Sequence, residues 1–316
     1  MTDLEALFDV PEPTPLDAAG AIDDPGLQEV MDWFHTQGDL ETRFGSALRQ
    51  SLDEVLDGQR TGRFDIDGLS KTEKTYLGTK VEIVIRATFE LAAGDRMDYK
   101  IAGHDIDAKF SISGTWSIPT EAMGHLCLLM AAYDHKSTFD VGIIRIRPEI
   151  LNKGQNKDQK KTISKEGRAG IVWLARQAPL PPNLLLSLPQ KTVERIMTAG
   201  SGQRRINELL RTVQGRVIDR NAAVTVARQQ DGLKRCRDAR NHLREDGIAV
   251  LGHQNDSPKV AQALQLPVPE KGTFVSMRLV QVDPETTDRA VACIGERYYA
   301  AARPDEPVEP TPEIRY

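Results

Sequence analysis

No apolar run in the 316 residues approaches the ~20 needed to span a membrane. The acidic opening "MTDLEALFDVPEP" lacks the basic-then-apolar layout of a secretory signal, so a cytoplasmic location is expected. Cysteine is scarce: Cys127, Cys236 and Cys293 are odd in number, far apart and without C-x-x-C spacing. That suits a reducing compartment and speaks against a disulfide framework or a cysteine zinc site. The glycine-bearing "AGSGQRR" (199–205) is not followed by G-K-[S/T], so it reads as a flexible entry to a helix rather than a phosphate loop. "VLDG" (55–58) is like the K-x-D-G of nucleotidyl-transferring ligases, but Val55 stands where the lysine nucleophile belongs. His104, His125 and His253 show neither H-x-x-x-H nor H-N-H spacing, and no G-x-S-x-G is present. His125 is expected in the core and His104 at the rim of a site.

What is present is an ordinary globular composition, 40% hydrophobic and 28% charged, in a chain long enough for two domains. The net charge of −5 conceals an asymmetry. Residues 1–57 hold fourteen acids against two arginines, a balance of −12. Residues 203–244 hold eleven Lys/Arg against four acids, a balance of +7. A basic run is ordinarily a solvated helix face. Here the arginines recur through a long helical stretch with few acids between them, the footprint of a local polyanion contact.

Residues 1–24, rich in Pro, Asp and Ala, read as a disordered acidic tail. Residues 27–57 read as one or two helices, with Val30, Phe34, Leu48, Leu52 and Leu56 as apolar positions. Ser70-Lys-Thr-Glu73 has the spacing of a capping box. Leu77, Val81, Val84, Ile85 and Phe89 then recur at helical intervals, so "VEIVI" is predicted helical despite its β-prone composition. The continuously apolar 124–133 predicts a strand covered on both faces, with a second strand in 140–151. A polar loop (152–161) and a short amphipathic helix (164–175) should follow. The proline-dense 177–189 is the expected linker between a first domain, 25–176, and a second, 190–302. The second is helix-rich to about 245 and then strand-bearing, with a loose tail from 303 to 316.

The chemistry concentrates in "MDYKIAGHDIDAKFSI" (97–112), read as a hairpin turning at Ala102-Gly103. Successive strand side chains alternate, so Ile106, Ala108, Phe110 and Ile112 face one way and Asp107, Lys109 and Ser111 the other. The bland reading is a surface ion pair. The sharp one is a Mg²⁺ site: Asp98 and Asp107 on paired strands converge on one ion, and Glu82 reaches it from the preceding helix. Lys109, about 7 Å further along the same face, would then position the attacking water.

"LDGQRTGRFDIDGLSKTEKTYLGTKVEI", "DYKIAGHDIDAKFS", "GHLCLL" and "EGRAGIVWL" resemble the catalytic half of NaeI-type restriction endonucleases. "RINELLRTVQGRVIDR", "TVARQQDGLKRCR" and "LGHQNDSPKVAQALQLPVPEKG" resemble their C-terminal half, the likeness running from about residue 27 to 300. The resemblance implies a type IIE enzyme of α/β class. It would have a PD-(D/E)xK restriction-endonuclease-like mixed sheet flanked by helices, and a mainly helical winged helix-turn-helix domain like that of catabolite activators. Carried over, the family's catalytic groups fall on Glu82, Asp98, Asp107 and Lys109, with the three acids as Mg²⁺ ligands. Met97 replaces the motif's proline, and Ala108 stands between Asp107 and Lys109. Arg204, Arg205, Lys234, Arg235, Arg237 and Arg240 are the DNA-binding candidates. The implied partners are double-stranded DNA (two sites per homodimer, at a GC-rich palindrome such as GCCGGC) and a cognate DNA methyltransferase. The rival reading is a DNA-binding regulator or repair nicking protein with a vestigial nuclease domain.

Overall fold

The computed structural model describes residues 24–286 and 288–316, so the expected tail at 1–24 lies, except for Asp24, outside the described residues. The chain divides into two units. One comprises the described residues through Ala47 with Val81–Tyr133 and Thr138–Pro179; the other comprises Leu48–Lys80, Asp134–Ser137 and Leu180–Tyr316. Among the described residues no helix is long and apolar enough to cross a membrane.

The chain begins with α1 (Pro25–His35), α2 (Leu40–Leu56), the single turn α3 (Gly58–Thr61) and α4 (Lys71–Thr88). The Asp24 carboxylate accepts from the Leu27 N–H at 3.1 Å and Pro25 takes the first helical position, so α1 is capped as its sequence dictates. At α4 the Ser70 hydroxyl accepts from the Glu73 N–H (3.3 Å) and the Glu73 carboxylate from the Ser70 N–H (2.9 Å). The predicted capping box is therefore formed, and "VEIVI" is helix. In the first unit Phe34, Phe44 and Phe89 join the ends of α1, α2 and α4, with ring centroids 4.5 to 5.8 Å apart.

The first unit is built on a mixed sheet. Its strands are β1 (Ala92–Ala93), β2 (Tyr99–Ile101), β3 (His104–Ser111), β5 (Leu126–Tyr133), β6 (Thr138–Arg145) and β9 (Val172–Pro179), in the order β1-β2-β3-β5-β6-β9. Only β3 and β5 run parallel. β5 is buried along its length as far as Ala132, as its unbroken apolar sequence predicts. The β2–β3 turn is Ala102-Gly103, both at positive φ (49° and 85°), the geometry that two-residue hairpin loops require.

Three expectations are corrected here. Residues 152–161 are not a loop: β7 (Leu151–Gln155) and β8 (Lys161–Ile163) pair as a hairpin, and β8 also pairs with β4 (Ser117–Ile118). A hairpin with water on both faces has no apolar alternation to betray it. Residues 164–175 are one turn, α5 (Lys165–Arg168), followed by β9. The β-prone "IVWL" pairs with β6 instead, where Gly142 leaves room: a Cβ there would lie 2.5 Å from Ile171 and 2.9 Å from Trp173. His125 is half-buried rather than in the core.

The second unit carries a separate C-terminal helical region, with α6 (Gln190–Met197), α7 (Gly202–Thr212), α8 (Arg220–Ala227), α9 (Gly232–His242) and α10 (Ser257–Ala263). β10 (Val217–Ile218), β12 (Phe274–Val282), β14 (Arg297–Ala301) and β13 (Val291–Ile294) form a sheet in that order, and β11 (Ile248–Leu251) also pairs with β12. Ile206, Leu209, Val226, Cys236, Ala239 and Val250 share one core; Leu251, Val260, Leu264, Leu279 and Ile314 share another. The tail 303–316, expected to be loose, is strapped down. Arg278 donates to the carbonyls of Arg303, Glu306 and Pro307, and the Thr311 N–H donates to the Arg244 carbonyl at 3.0 Å.

Helix α8 ends at Arg228 in the left-handed region (φ 52°), and α9 starts at Gly232 against the α8 backbone. A Cβ on Gly232 would lie 2.9 Å from the Ala223 carbonyl oxygen and from the Val224 N and Cα, all backbone atoms that no side-chain rotation can move. Gly232→Ala should therefore part the two helices and destabilise the protein by about 1–3 kcal/mol, read by urea unfolding. A change below ~0.5 kcal/mol would show that the helix pair is loosely packed.

Candidate active site and nucleic-acid interface

The register of β2 on β3 sets Tyr99 opposite Ile106, which leaves Asp98 just beyond the end of β2. Its Oδ2 accepts from the Ala108 N–H at 2.7 Å, fixing the carboxylate between Asp107 and Lys109. Glu82 comes from α4, which is tied to the hairpin twice. The Tyr99 hydroxyl donates to the Glu82 carbonyl (2.9 Å), and Arg86 donates to the Asp98 carbonyl (2.7 Å) and, at 3.4 Å, to the Glu82 carboxylate. The hairpin thus gathers Glu82, Asp98, Asp107 and Lys109.

Their surroundings differ from the simple alternation. Ile106 on one face and Asp107 and Ser111 on the other are buried, while Lys109, Phe110 and Ile112 are half-buried, so both faces of β3 are partly covered rather than one. β3 is not an edge: it lies between β2 and β5, so both its sides are paired. Asp107 pairs across to Cys127 and Lys109 to Leu129, members of an apolar cluster on that side of the sheet. Lys109 Nζ is 2.6 Å from Asp107 Oδ1 and 3.0 Å from the Ala108 carbonyl oxygen. The buried Cys127 thiol donates to Asp107 Oδ2 at 3.4 Å. Both oxygens of Asp107 are therefore oriented by neighbours.

Burial raises the Glu82 carboxyl above its ordinary range, and the charge of Asp98 adds to the effect. Burial likewise raises Asp107, against the opposing pull of Lys109. For Lys109 burial works against the charged form, but the Asp107 carboxylate outweighs it and holds the ammonium protonated. The donor set of three carboxylates and the Ala108 carbonyl is all oxygen, the kind a hard divalent cation takes. Such an ion would relieve the carboxylate repulsion that already raises Glu82.

Among the described residues, the acidic and histidine side chains that come within 4.8 Å of one another as a group of three are elsewhere, in the second unit. They are Asp65, Asp67 and His135, with His135 Nε2 3.3 Å from each acid. This cluster has the donor types for a divalent metal. Sequence reasoning missed it, because a D-x-D pair and a histidine some seventy positions on share no spacing.

The basic candidates separate into two groups. Arg204, Lys234 and Arg237 are exposed. Arg205 instead donates to the carbonyls of Gly200, Val226 (2.6 Å) and Ala227 (2.7 Å), closing the C-terminus of α8. Arg235 pairs with Asp231 at 3.2 Å. Arg240 donates to the Val250 carbonyl (3.1 Å) and stacks on Tyr316, 4.0 Å from the ring centroid. His104, expected at the rim, lies 2.6 Å from Glu29 in the first unit. Arg205→Ala should cost about 1–3 kcal/mol of stability by leaving carbonyls without a donor, whereas Arg204→Ala should stay within ~0.5 kcal/mol. Equal thermal unfolding of the two variants would remove the capping role from Arg205.

The family model described as "Restriction endonuclease NaeI" matches residues 31–310. The type II restriction enzyme NaeI of Lentzea aerocolonigenes is 42% identical over 302 residues, covering 92% of this chain and 95% of that relative. With the match spanning both units, the chain belongs to the NaeI restriction-endonuclease family.

Proposed function

We propose that this family member is a Mg²⁺-dependent type IIE endonuclease of the PD-(D/E)xK class, cleaving double-stranded DNA at a GC-rich palindrome such as GCCGGC. The observation that carries the reading is the hairpin's gathering of Asp98, Asp107 and Lys109 beside Glu82, in register with a buried strand. Glu82, Asp98 and Asp107 would hold the ion. Bound there, Mg²⁺ supplies Lewis acidity for the phosphate and acidifies a water. Lys109 keeps its proton beside Asp107 and orients the attacking water through its ammonium hydrogens. Cys127 and Asp107's other neighbours hold the carboxylate still while charge moves. A palindromic target implies a homodimer by symmetry, and restriction implies a cognate DNA methyltransferase protecting the same sequence.

The close α8–α9 pair followed by strands supports a winged helix-turn-helix reading of the second unit, with α9 toward the major groove. We place a second, stimulating copy of the recognition site there, with Arg204, Lys234 and Arg237 as its exposed cations. Intact Glu82, Asp98, Asp107 and Lys109 weigh against a regulator with a vestigial nuclease.

Asp107→Ala should abolish plasmid cleavage in Mg²⁺ while DNA binding persists; cleavage near the parent rate would sink the site. Lys109→Ala should lose on the order of 10²-fold in rate. Lys109→Arg should recover little of it, because a planar fork does not replace a compact ammonium. The double variant Lys234→Ala with Arg237→Ala should cut one-site plasmids slowly and gain nothing from added oligonucleotide carrying the site. Stimulation equal to that of the parent would move the effector site off α9.

A further inference from the structure

We propose that the β7–β8 hairpin is a second DNA-contacting element, a phosphate-binding arm of the catalytic unit; this rests on the nuclease reading of that unit. Residues 151–165 carry Lys153, Lys157, Lys160, Lys161 and Lys165 against the single acid Asp158. Residues 152–160 are all exposed. None of the five ammonium groups has a carboxylate partner among the described residues. The other two lysines of the first unit do: Lys100 is 2.7 Å from Asp95 and Lys109 is 2.6 Å from Asp107. The unit's lysines without a carboxylate partner are thus confined to this hairpin and to Lys165, the first residue of α5 just after it.

The hairpin is also built rather than frayed. The Asn156 side-chain oxygen accepts from the N–H groups of Asp158 and Lys160, both at 2.9 Å, and the Asn156 N–H donates to the Lys160 carbonyl at 2.9 Å. Near the root, Asn152 donates to the Thr162 hydroxyl at 2.9 Å, and β8 is paired on its other side with β4. Like charges held close on an ordered hairpin repel. A polyanion would offset that repulsion.

Location selects which polyanion. At the hairpin root, Leu151 and Ile163 belong to the same apolar cluster as Cys127 and Leu129. Those two residues pair across to Asp107 and Lys109, so the hairpin rises from the sheet face that carries the catalytic pair. Duplex whose scissile phosphate lies at Lys109 has its flanking backbone on that side. A five-residue arm extends about 17 Å, and phosphates follow one strand about every 3.4 Å along the axis. Up to about five phosphates of one strand lie within that span, enough for each of Lys153, Lys157 and Lys160 to reach one. Lysines act as point charges on phosphates and read no bases, so the arm should contribute alike on every sequence.

The test uses the full-length chain with Lys153→Ala, Lys157→Ala and Lys160→Ala combined, beside the matching lysine-to-arginine triple and single Lys157→Ala. Binding to a duplex with GCCGGC and to one without it is measured across a salt series, with the salt dependence of kcat/KM for cleavage. The alanine triple should lower the log–log slope by about 0.9 for each phosphate no longer neutralised, roughly 2–3 in all, on both duplexes. The single variant should lower it by about 0.9, and the arginine triple should keep the parent slope. Parent-like slopes in the alanine triple and the single variant would overturn the proposal, leaving the lysines merely solvated. A parent that neither binds nor cuts either duplex would overturn the nuclease reading instead, and the Asp107→Ala control separates the two failures.

Discussion

The hydrogen bond from the Ala108 N–H to Asp98 Oδ2 depends on one register, Tyr99 opposite Ile106 across a two-residue turn. Side chains on a strand alternate with period two, so a slip of one residue would send Asp107 and Lys109 to the opposite face. The same register sets the Tyr99 hydroxyl against the Glu82 carbonyl and the Asp98 carbonyl against Arg86. Helix and hairpin are thereby locked together, and the site inherits its geometry from backbone pairing rather than from side-chain contacts alone.

That geometry places charge where burial opposes it. Asp107 is 5% exposed, and an ionised carboxyl there persists only with partners for both oxygens. Lys109 and Cys127 provide them. The repulsion of Glu82 by Asp98 and Asp107 is a local cost that a hard cation held among them would relieve. In the second unit, basic side chains of one helical stretch divide between two physical tasks. Arg205 and Arg240 complete the fold by donating to backbone carbonyls, while Arg204, Lys234 and Arg237 leave their charge in solvent.

Much of this is legible in the residues themselves. The capping box at Ser70 and Glu73, the helical interval of Val81, Val84 and Ile85, and the Ala102-Gly103 turn are local signals, each settled within a few residues. The strand 126–133 is legible because covering both faces demands an unbroken apolar run. The β7–β8 hairpin is not, since between its buried root residues Leu151 and Ile163 the chain from 152 to 160 is exposed throughout, and β4, which anchors it, lies outside it. Residues 172–175 read as part of a helix in isolation, because the space at Gly142 that receives Ile171 and Trp173 exists only once β6 is in place.

The sequence alone determined which chemical groups this protein possesses and their local presentation: three carboxylates and a lysine on a hairpin and a capped helix, and a basic helical stretch after a proline-rich junction. Tertiary structure decided which of them are free to act. Asp107 lies buried beside Cys127 because β5 pairs parallel to β3. Arg205 is engaged because α8 ends beside it, and Asp65, Asp67 and His135 meet only through the fold. The reason is range: turns, caps and helix periodicity are set by neighbours in the chain, whereas burial, pairing and charge compensation depend on residues that only folding brings within a few ångströms.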